Sequence, residues 1–429
     1  MNTKTFGLLG EKLSHSRSPQ IHAQLADYEY RLFPMPREEL DAFFAAGDFM
    51  GLNVTIPYKE TVLPYCSKLT DVAKRMGCVN TITWDSDGTL IGDNSDYYGF
   101  CYTLSHYFPD LSGKKALVLG SGGASKTVRI ALADAGCREV VIISRSGENN
   151  YENLSRHADA DFIVNTTPVG MYPNNGKAPL SLKQFPKLLG VADLIYNPIR
   201  TALLLEAKEL GIPYCNGLMM LVAQAALSSS RFTGLPLDEA RIDEITARLH
   251  ADETNLILIG MPGCGKSTLG KLLAEEFHRE FLDTDELITA KTGRTPAQII
   301  TEDGEAAFRT IESAVIAETG ALTGKVISTG GGVITREENY APLAQNGILL
   351  FINRDPSLLP TEGRPLSADS DAVMRLYEQR LPLYRKFCDA EILAADTIND
   401  TYTLLTDTMM SRQKRELKKI HFDFISLTC

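Results

Sequence analysis

Ala116-Leu117-Val118-Leu119-Gly120-Ser121-Gly122-Gly123-Ala124 and Leu256-Ile257-Leu258-Ile259-Gly260-Met261-Pro262-Gly263-Cys264-Gly265-Lys266-Ser267-Thr268 are apolar runs that break into glycine-rich turns about 140 positions apart. An apolar run followed by such a turn and a helix lets backbone N–H groups and the positive helix end approach phosphate. The turns differ in kind. The first, Gly120 to Ala124 with Ser121, Gly122 and Gly123, suits a dinucleotide; the second, Gly260-x4-Gly265-Lys266-Ser267, is a complete P-loop for a nucleoside triphosphate. Taken alone, the first turn could equally serve strand–helix packing.

Around the first turn, runs at 116–119, 140–143, 161–165 and 191–195 are separated by helix-length segments, a pattern of parallel strands buried on both faces. Upstream, strands are expected near Phe6 to Leu9, Leu52 to Thr55 and Val79 to Trp84, with helices near Pro19 to Asp27 and Ser95 to Tyr107. Helices are also expected at Leu218 to Arg231 and Leu237 to Leu249. The polar stretch His250 to Thr254 reads as the seam before a third α/β block that reaches about Met410. The fold class is α/β, a two-domain dehydrogenase-like half followed by a P-loop half with a parallel sheet flanked by helices. The expected boundaries are 1–100 with 218–250, 101–217 and 254–411, then a basic tail at 412–429.

The chain has 429 residues, more than one core holds, and 44% of them are hydrophobic. Its formal charge of −11 disfavours nucleic acid and anionic membranes as partners. Eight cysteines lie scattered without C-x-x-C spacing, and no long apolar stretch suits a bilayer, so a reducing cytoplasm is expected.

After the run Val140 to Ile143 stands Ser144-Arg145-Ser146, where an NAD site places a carboxylate. A guanidinium flanked by hydroxyls favours the 2'-phosphate of NADP, with Lys126 as a second cation. Near the start, Ser16-Arg17-Ser18-Pro19 clusters hydroxyls before a helix, which reads equally as a cap. Asn53-Val54-Thr55-Ile56-Pro57-Tyr58-Lys59, Asn80-Thr81 and Gly92-Asp93-Asn94-Ser95-Asp96 follow strands and supply amides, hydroxyls, an ammonium and a carboxylate.

These segments, with the run Asn216-Gly217-Leu218-Met219-Met220-Leu221-Val222-Ala223-Gln224-Ala225, resemble shikimate dehydrogenase in order over about residues 1 to 250. The resemblance implies that Ser16 and Ser18 bind the substrate carboxylate. Asn53, Thr55, Asn80, Asp96 and Gln224 would hold ring oxygens, and Lys59 with Asp96 would be catalytic. Thr166, within Asn165 to Met171, and Tyr196-Asn197-Pro198 match segments lining the cleft. Tyr196 is taken with the substrate, and Thr166, Gly217 and Met220 with NADP. One departure concerns pocket shape, and with it shikimate against quinate: Tyr97 stands where the family carries glycine.

In the second half, Lys266 is expected at the β- and γ-phosphates and Ser267 on Mg2+, with Gly260, Gly263, Cys264, Gly265 and Thr268 completing the ATP loop. Leu282-Asp283-Thr284-Asp285 puts two carboxylates on one face of a strand end. Phe308-Arg309-Thr310-Ile311-Glu312, Gly330-Gly331-Gly332 and Arg380-Leu381-Pro382-Leu383-Tyr384 add two guanidiniums and an amide-rich turn, suiting a small anion. Together they resemble shikimate kinase over about residues 254 to 400. That implies Asp285 at the shikimate hydroxyls as the catalytic carboxylate, with Lys266. Arg309 and Arg380 would bind the carboxylate, Gly330 to Gly332 the ring, and Asp283 the Mg2+ through water. The lid keeps Arg364 but is short and lacks a further arginine, so altered rate or nucleotide affinity is expected.

The order of the halves suggests one bifunctional enzyme: NADPH-dependent reduction of 3-dehydroshikimate, then ATP-dependent phosphorylation of the hydroxyl just made. A competing reading keeps the dehydrogenase, with quinate as a further substrate, beside an impaired or regulatory kinase-like half.

Overall fold

The structure, a computed structural model, describes residues 5–13, 16–360 and 369–421, except for the side chains of Met410 and residues 412–421. Three sheets follow one another along the chain. The first comprises β1 (Thr5–Gly10), β2 (Tyr30–Pro34), β3 (Phe49–Val54), β4 (Lys68–Leu69), β5 (Thr81–Trp84) and β6 (Leu90–Asp93), ordered β2-β1-β3-β5-β6-β4. It is mixed, β5 running antiparallel to both β3 and β6. The second, ordered β11-β10-β9-β7-β8, comprises β7 (Lys115–Leu119), β8 (Glu139–Ile143), β9 (Phe162–Asn165), β10 (Gly190–Asp193) and β11 (Tyr214–Cys215). The third, ordered β13-β14-β12-β15-β16, comprises β12 (Asn255–Ile259), β13 (Phe281–Asp283), β14 (Val326–Ser328), β15 (Gly347–Asn353) and β16 (Ala390–Leu393).

Every pairing in the second and third sheets is parallel. Their central strands β7 and β12 are buried throughout, as continuous apolar runs between two helix layers must be. Each is flanked by strands that the chain reaches in opposite directions, so its carboxyl end is a topological switch point. Both glycine turns sit at such an end.

The helix Ser95–Tyr107 has the expected limits, because Asn94 caps it through a bond from the Tyr97 amide. It crosses the helix Leu218–Thr233 so closely that a Cβ on Gly99 would lie 2.6 Å from the Met220 carbonyl. The helix expected from Leu237 begins at Glu239, where Asp238 accepts from the Arg241 amide. The expected seam at 250–254 is mostly helical. That helix continues to Glu253, burying Ile242, Ile245, Leu249 and Glu253, and Thr254 alone separates it from β12. Likewise, backbone helix continues from Ile398 to His421, through the start of the expected basic tail; residues 422–429 lie outside the described residues.

The second and third sheets are joined by a polar seam. Arg200 donates to the carbonyls of Ala344 and Gly347 at 2.8 and 2.5 Å, and its amide to the Gln345 carbonyl. Lys208 pairs with Asp389 at 2.6 Å, and Leu205 enters the core beneath β12.

Candidate active sites

In the first half, Lys59 Nζ lies 2.5 Å from Asp96 Oδ2, and both side chains are partly open to solvent. Asp96 occupies the first turn of its helix, where the positive end of the helix dipole favours a carboxylate. Asn80, at the start of β5, anchors that turn: its Oδ1 accepts from the Ser95 amide at 2.7 Å. Gln224 reaches the same place from the Leu218–Thr233 helix, its Oε1 accepting from Ser95 Oγ at 3.4 Å. Thr55 follows the end of β3, and its hydroxyl has no partner among the described residues. Ser18 opens its helix, and its amide donates to Ser16 Oγ at 3.2 Å.

Asn53 differs from the expectation of a ring-oxygen ligand. It is buried, with Oδ1 accepting from Tyr30 at 2.8 Å and Nδ2 donating to Asn80, Thr81 and Ser228, the last at 2.7 Å. Its hydrogen-bonding capacity is used within the protein, as a brace beneath the pocket. Ser228 closes the network with Thr81 at 2.9 Å and Ser95 at 3.1 Å, and nothing in the sequence had marked it. His22 lies below, stacked 3.9 Å from Tyr30, and burial pulls its pKa down to about 3, so it is neutral. Tyr97 turns away from the pocket: its hydroxyl donates to Asp134 at 2.6 Å, beside the Arg75–Asp134 ion pair.

On the dinucleotide side, Gly120 has φ +107, and a Cβ there would meet Thr166 Oγ1 at 2.8 Å. Glycine is therefore required by the fold, and Thr166 supports the turn by donating to the Leu119 carbonyl. Gly122 and Gly123 differ, for a Cβ on either would meet nothing within 4 Å. They leave an open cradle before the helix Gly123–Asp134, together with the exposed Ser121 and Ala124, and a pyrophosphate fits it. Ser144, exposed Arg145 and Ser146 follow β8 directly. Lys126 is not a free second cation, since it pairs with Glu60 at 2.7 Å. Gly217 is set by packing, its absent Cβ otherwise lying 2.1 Å from the Leu194 carbonyl, and Met220 presents its carbonyl to Gly99. Tyr196 is half-buried within electrostatic reach of Arg17 and Glu253.

In the second half, Gly260, Gly263 and Gly265 have φ of +150, +79 and +102, which wraps the loop around the Lys266 ammonium. Lys266 is buried and donates to the carbonyls of Gly260 and Met261, both at 3.0 Å. Cys264 faces inward, its Sγ accepting from Lys266 Nζ at 3.9 Å, whereas Ser267 and Thr268 are exposed at the helix start. Ser267 Oγ donates to Asp283 Oδ2 at 2.8 Å, so a hydroxyl and a carboxylate stand together beside the phosphate cradle. That donor set fits Mg2+ completed by phosphate oxygens and water.

The two aspartates do not share a strand face. β13 ends at Asp283, which caps the next helix by accepting from the Asp285 amide at 3.0 Å, and Asp285 stands in that helix's first turn. Burial, and then the charges of Asp283 and Glu312, push the Asp285 carboxyl up to about 6. Glu312 receives Arg309 Nη1 at 2.7 Å and is fully buried, which raises its own pKa. It belongs to the site although only its motif had been noted. A Cβ on Gly332 would lie 2.0 Å from Arg309 Nη2, and one on Gly331 2.5 Å from Pro262. Arg380, buried, donates to the Gly331 carbonyl at 3.2 Å. Arg309, Arg380, Asp285 and the glycine turn therefore line one recess, while Arg364 lies outside the described residues.

The first half compares with known proteins over its whole length. A shikimate dehydrogenase (NADP(+)) of Clostridium perfringens is 34% identical over 267 residues, covering 57% of this chain and 98% of the relative. The chain belongs to the shikimate dehydrogenase family. The family model for the shikimate dehydrogenase substrate binding domain matches residues 8–82, and that for shikimate kinase matches residues 262–410. A chorismate mutase/shikimate 5-dehydrogenase fusion protein from Clostridium acetobutylicum superposes with a TM-score of 0.55 at 36% identity, covering 58% of this chain and 98% of that one. Shikimate 5-dehydrogenase from Thermus thermophilus, in complex with NADP(H) and shikimate, gives 0.52 at 33% identity, covering 57% and 99%. Among the described residues no helix is long and apolar enough to cross a membrane.

Proposed function

We propose that this chain reduces 3-dehydroshikimate to shikimate in its first half and phosphorylates shikimate to shikimate 3-phosphate in its second. The observation that carries this reading is the occurrence, in one chain, of the Lys59–Asp96 pair beside an open dinucleotide cradle and of Asp285 with two buried arginines on one glycine turn beside a P-loop. Residues 1–100 with 218–250 bind shikimate, 101–217 bind NADP and 254–411 form the kinase. Seven free cysteines among the described residues suit a cytoplasmic protein.

When bound, NADPH supplies the hydride to the ring ketone, and ATP with Mg2+ supplies the phosphoryl group and charge neutralisation. Ser121, Gly122 and Gly123 hold the pyrophosphate, and Arg145 with Ser144 and Ser146 the 2'-phosphate. In the first site Ser16 and Ser18 take the substrate carboxylate. Lys59 stabilises and protonates the developing alkoxide, while Asp96 holds the ammonium and a ring hydroxyl in line. Thr55, Asn80 and Gln224 fix the other ring oxygens. In the second site Arg309 and Arg380 bind the carboxylate, and Asp285 takes the proton of the attacking hydroxyl. Glu312 keeps Arg309 in place, Lys266 meets the phosphate charge, and Ser267 with Asp283 orders Mg2+.

A coupled assay tests the reading. Supplied with 3-dehydroshikimate, NADPH and MgATP, the enzyme yields shikimate 3-phosphate; product that stops at shikimate refutes the kinase half, and no NADPH oxidation refutes the first.

A further inference from the structure

Arg17 stands between Ser16 and Ser18, and its guanidinium is not directed at solvent. Arg17 Nη1 lies 2.5 Å from Glu253 Oε1, whose side chain is 8% exposed. Glu253 is the last residue of the helix Glu239–Glu253, two positions before β12 begins. The third sheet grips that residue from its other side. The Gly324 amide donates to the Glu253 carbonyl at 2.9 Å, and Arg279 closes the helix end by donating to the carbonyls of Ala251 at 2.8 Å and Thr254 at 2.6 Å.

We infer that Glu253 is a positioning residue for the first reaction, through which the kinase half braces the Ser16–Ser18 segment. The inference rests on the proposed role of those serines as carboxylate ligands. A carboxylate held by two hydroxyls at the start of a short helix is bound well only if the helix start is fixed. Glu253 holds it by a partly buried ion pair, 8% exposed on the Glu253 side and 26% on the Arg17 side, and removing one partner of such a pair costs more than at the surface because the other charge is left uncompensated. The backbone of Glu253 is itself immobilised by Gly324 and, through the helix end, by Arg279. The brace thus runs from the kinase sheet through the helix end and Glu253 to Arg17 and the serines. It also keeps the Arg17 charge committed, leaving substrate recognition to the hydroxyls.

The test uses full-length protein. Glu253→Asp keeps the charge but withdraws the carboxylate by one methylene, and Arg279→Ala releases the helix end from the kinase side without touching either site. Both are expected to raise KM for 3-dehydroshikimate about five- to tenfold with kcat held within about twofold. In Glu253→Asp the kinase constants for shikimate and ATP stay unchanged. The reversed pair, Arg17→Glu with Glu253→Arg, is expected to recover most of the loss that either change alone produces. If Glu253→Asp does not fold, Arg17→Lys is read in its place, with the same split between KM and kcat expected.

An unaltered KM in Glu253→Asp or Arg279→Ala overturns the inference, and so does a proportional loss of both activities, which marks general destabilisation. A fall in KM in Glu253→Gln also overturns it, because the pair would then only screen Arg17 from substrate. Ser18→Ala separates the two levels. If that variant leaves KM for 3-dehydroshikimate unchanged, the carboxylate reading fails; if it raises KM while Glu253→Asp does not, only the brace fails.

Discussion

Asp285 Oδ1 and Glu312 Oε1 are both buried without a hydrogen-bond partner among the described residues, and both face the backbone of Gly330, where a Cβ would lie 3.0 and 2.7 Å from them. Two acceptors left open in one recess are costly unless a donor arrives. The hydroxyls of the proposed substrate are such donors.

Asp285 can accept a proton only when ionised. With its carboxyl raised to about 6, kinase turnover is expected to fall as pH drops through about 6, as kcat from pH 5 to 8 would record. Its stability term has the opposite sense to that of an ordinary ion-paired carboxylate. The folded state holds this proton more tightly than the unfolded chain, so stability present below about pH 4 is lost as pH rises through about 6. Asp285→Asn is therefore expected to abolish kinase activity while adding about 1–3 kcal/mol of stability at pH 7.5, measured by denaturant unfolding.

Gly122→Ala adds a methyl group where the protein has no atom within 4 Å, at a backbone φ of −79 that alanine adopts freely. The melting temperature should not move. KM for NADPH should rise about tenfold or more, since the methyl enters the pyrophosphate's place; an unchanged KM would remove Gly122 from the cofactor site.

Arg200→Ala leaves the carbonyls of Ala344 and Gly347 without their donor at the seam between the second and third sheets. A loss of about 2–4 kcal/mol is expected. Calorimetry should show one transition for the parent chain and two for the variant, as coupling between the halves weakens.

Tyr97→Phe removes the bond to Asp134 but leaves the ring where it is. Because that ring points away from Lys59 and Asp96, KM for shikimate should stay within about twofold and stability should fall by less than about 1 kcal/mol. A large change in substrate preference would return Tyr97 to the pocket.

The glycine turns, the apolar runs and the helix Ser95–Tyr107 were legible because each depends on neighbours in sequence: a backbone angle, a buried strand, a cap. Ser228 was not, since its partner Asn53 lies 175 positions away and a serine within a helix carries no local mark. Glu312 was visible only as a motif letter. Its role depends on facing Asp285 across Gly330. The polar run at 250–254, read only as a seam, did not reveal its helical structure, because Glu253 continues the buried stripe of Ile242, Ile245 and Leu249 and finds Arg17 in a distant segment. Lys126 was expected to await a phosphate, and only the closed chain brings Glu60 to it.

Arg279 satisfies itself on the carbonyl of Ala251, in the last turn of the preceding half, and on that of Thr254 just beyond it. In the vocabulary of gene fusion, these two enzymes are not abutted but overlapped, sharing one helical turn as common property. Anyone dividing the gene into independent pieces would have to copy that turn into both.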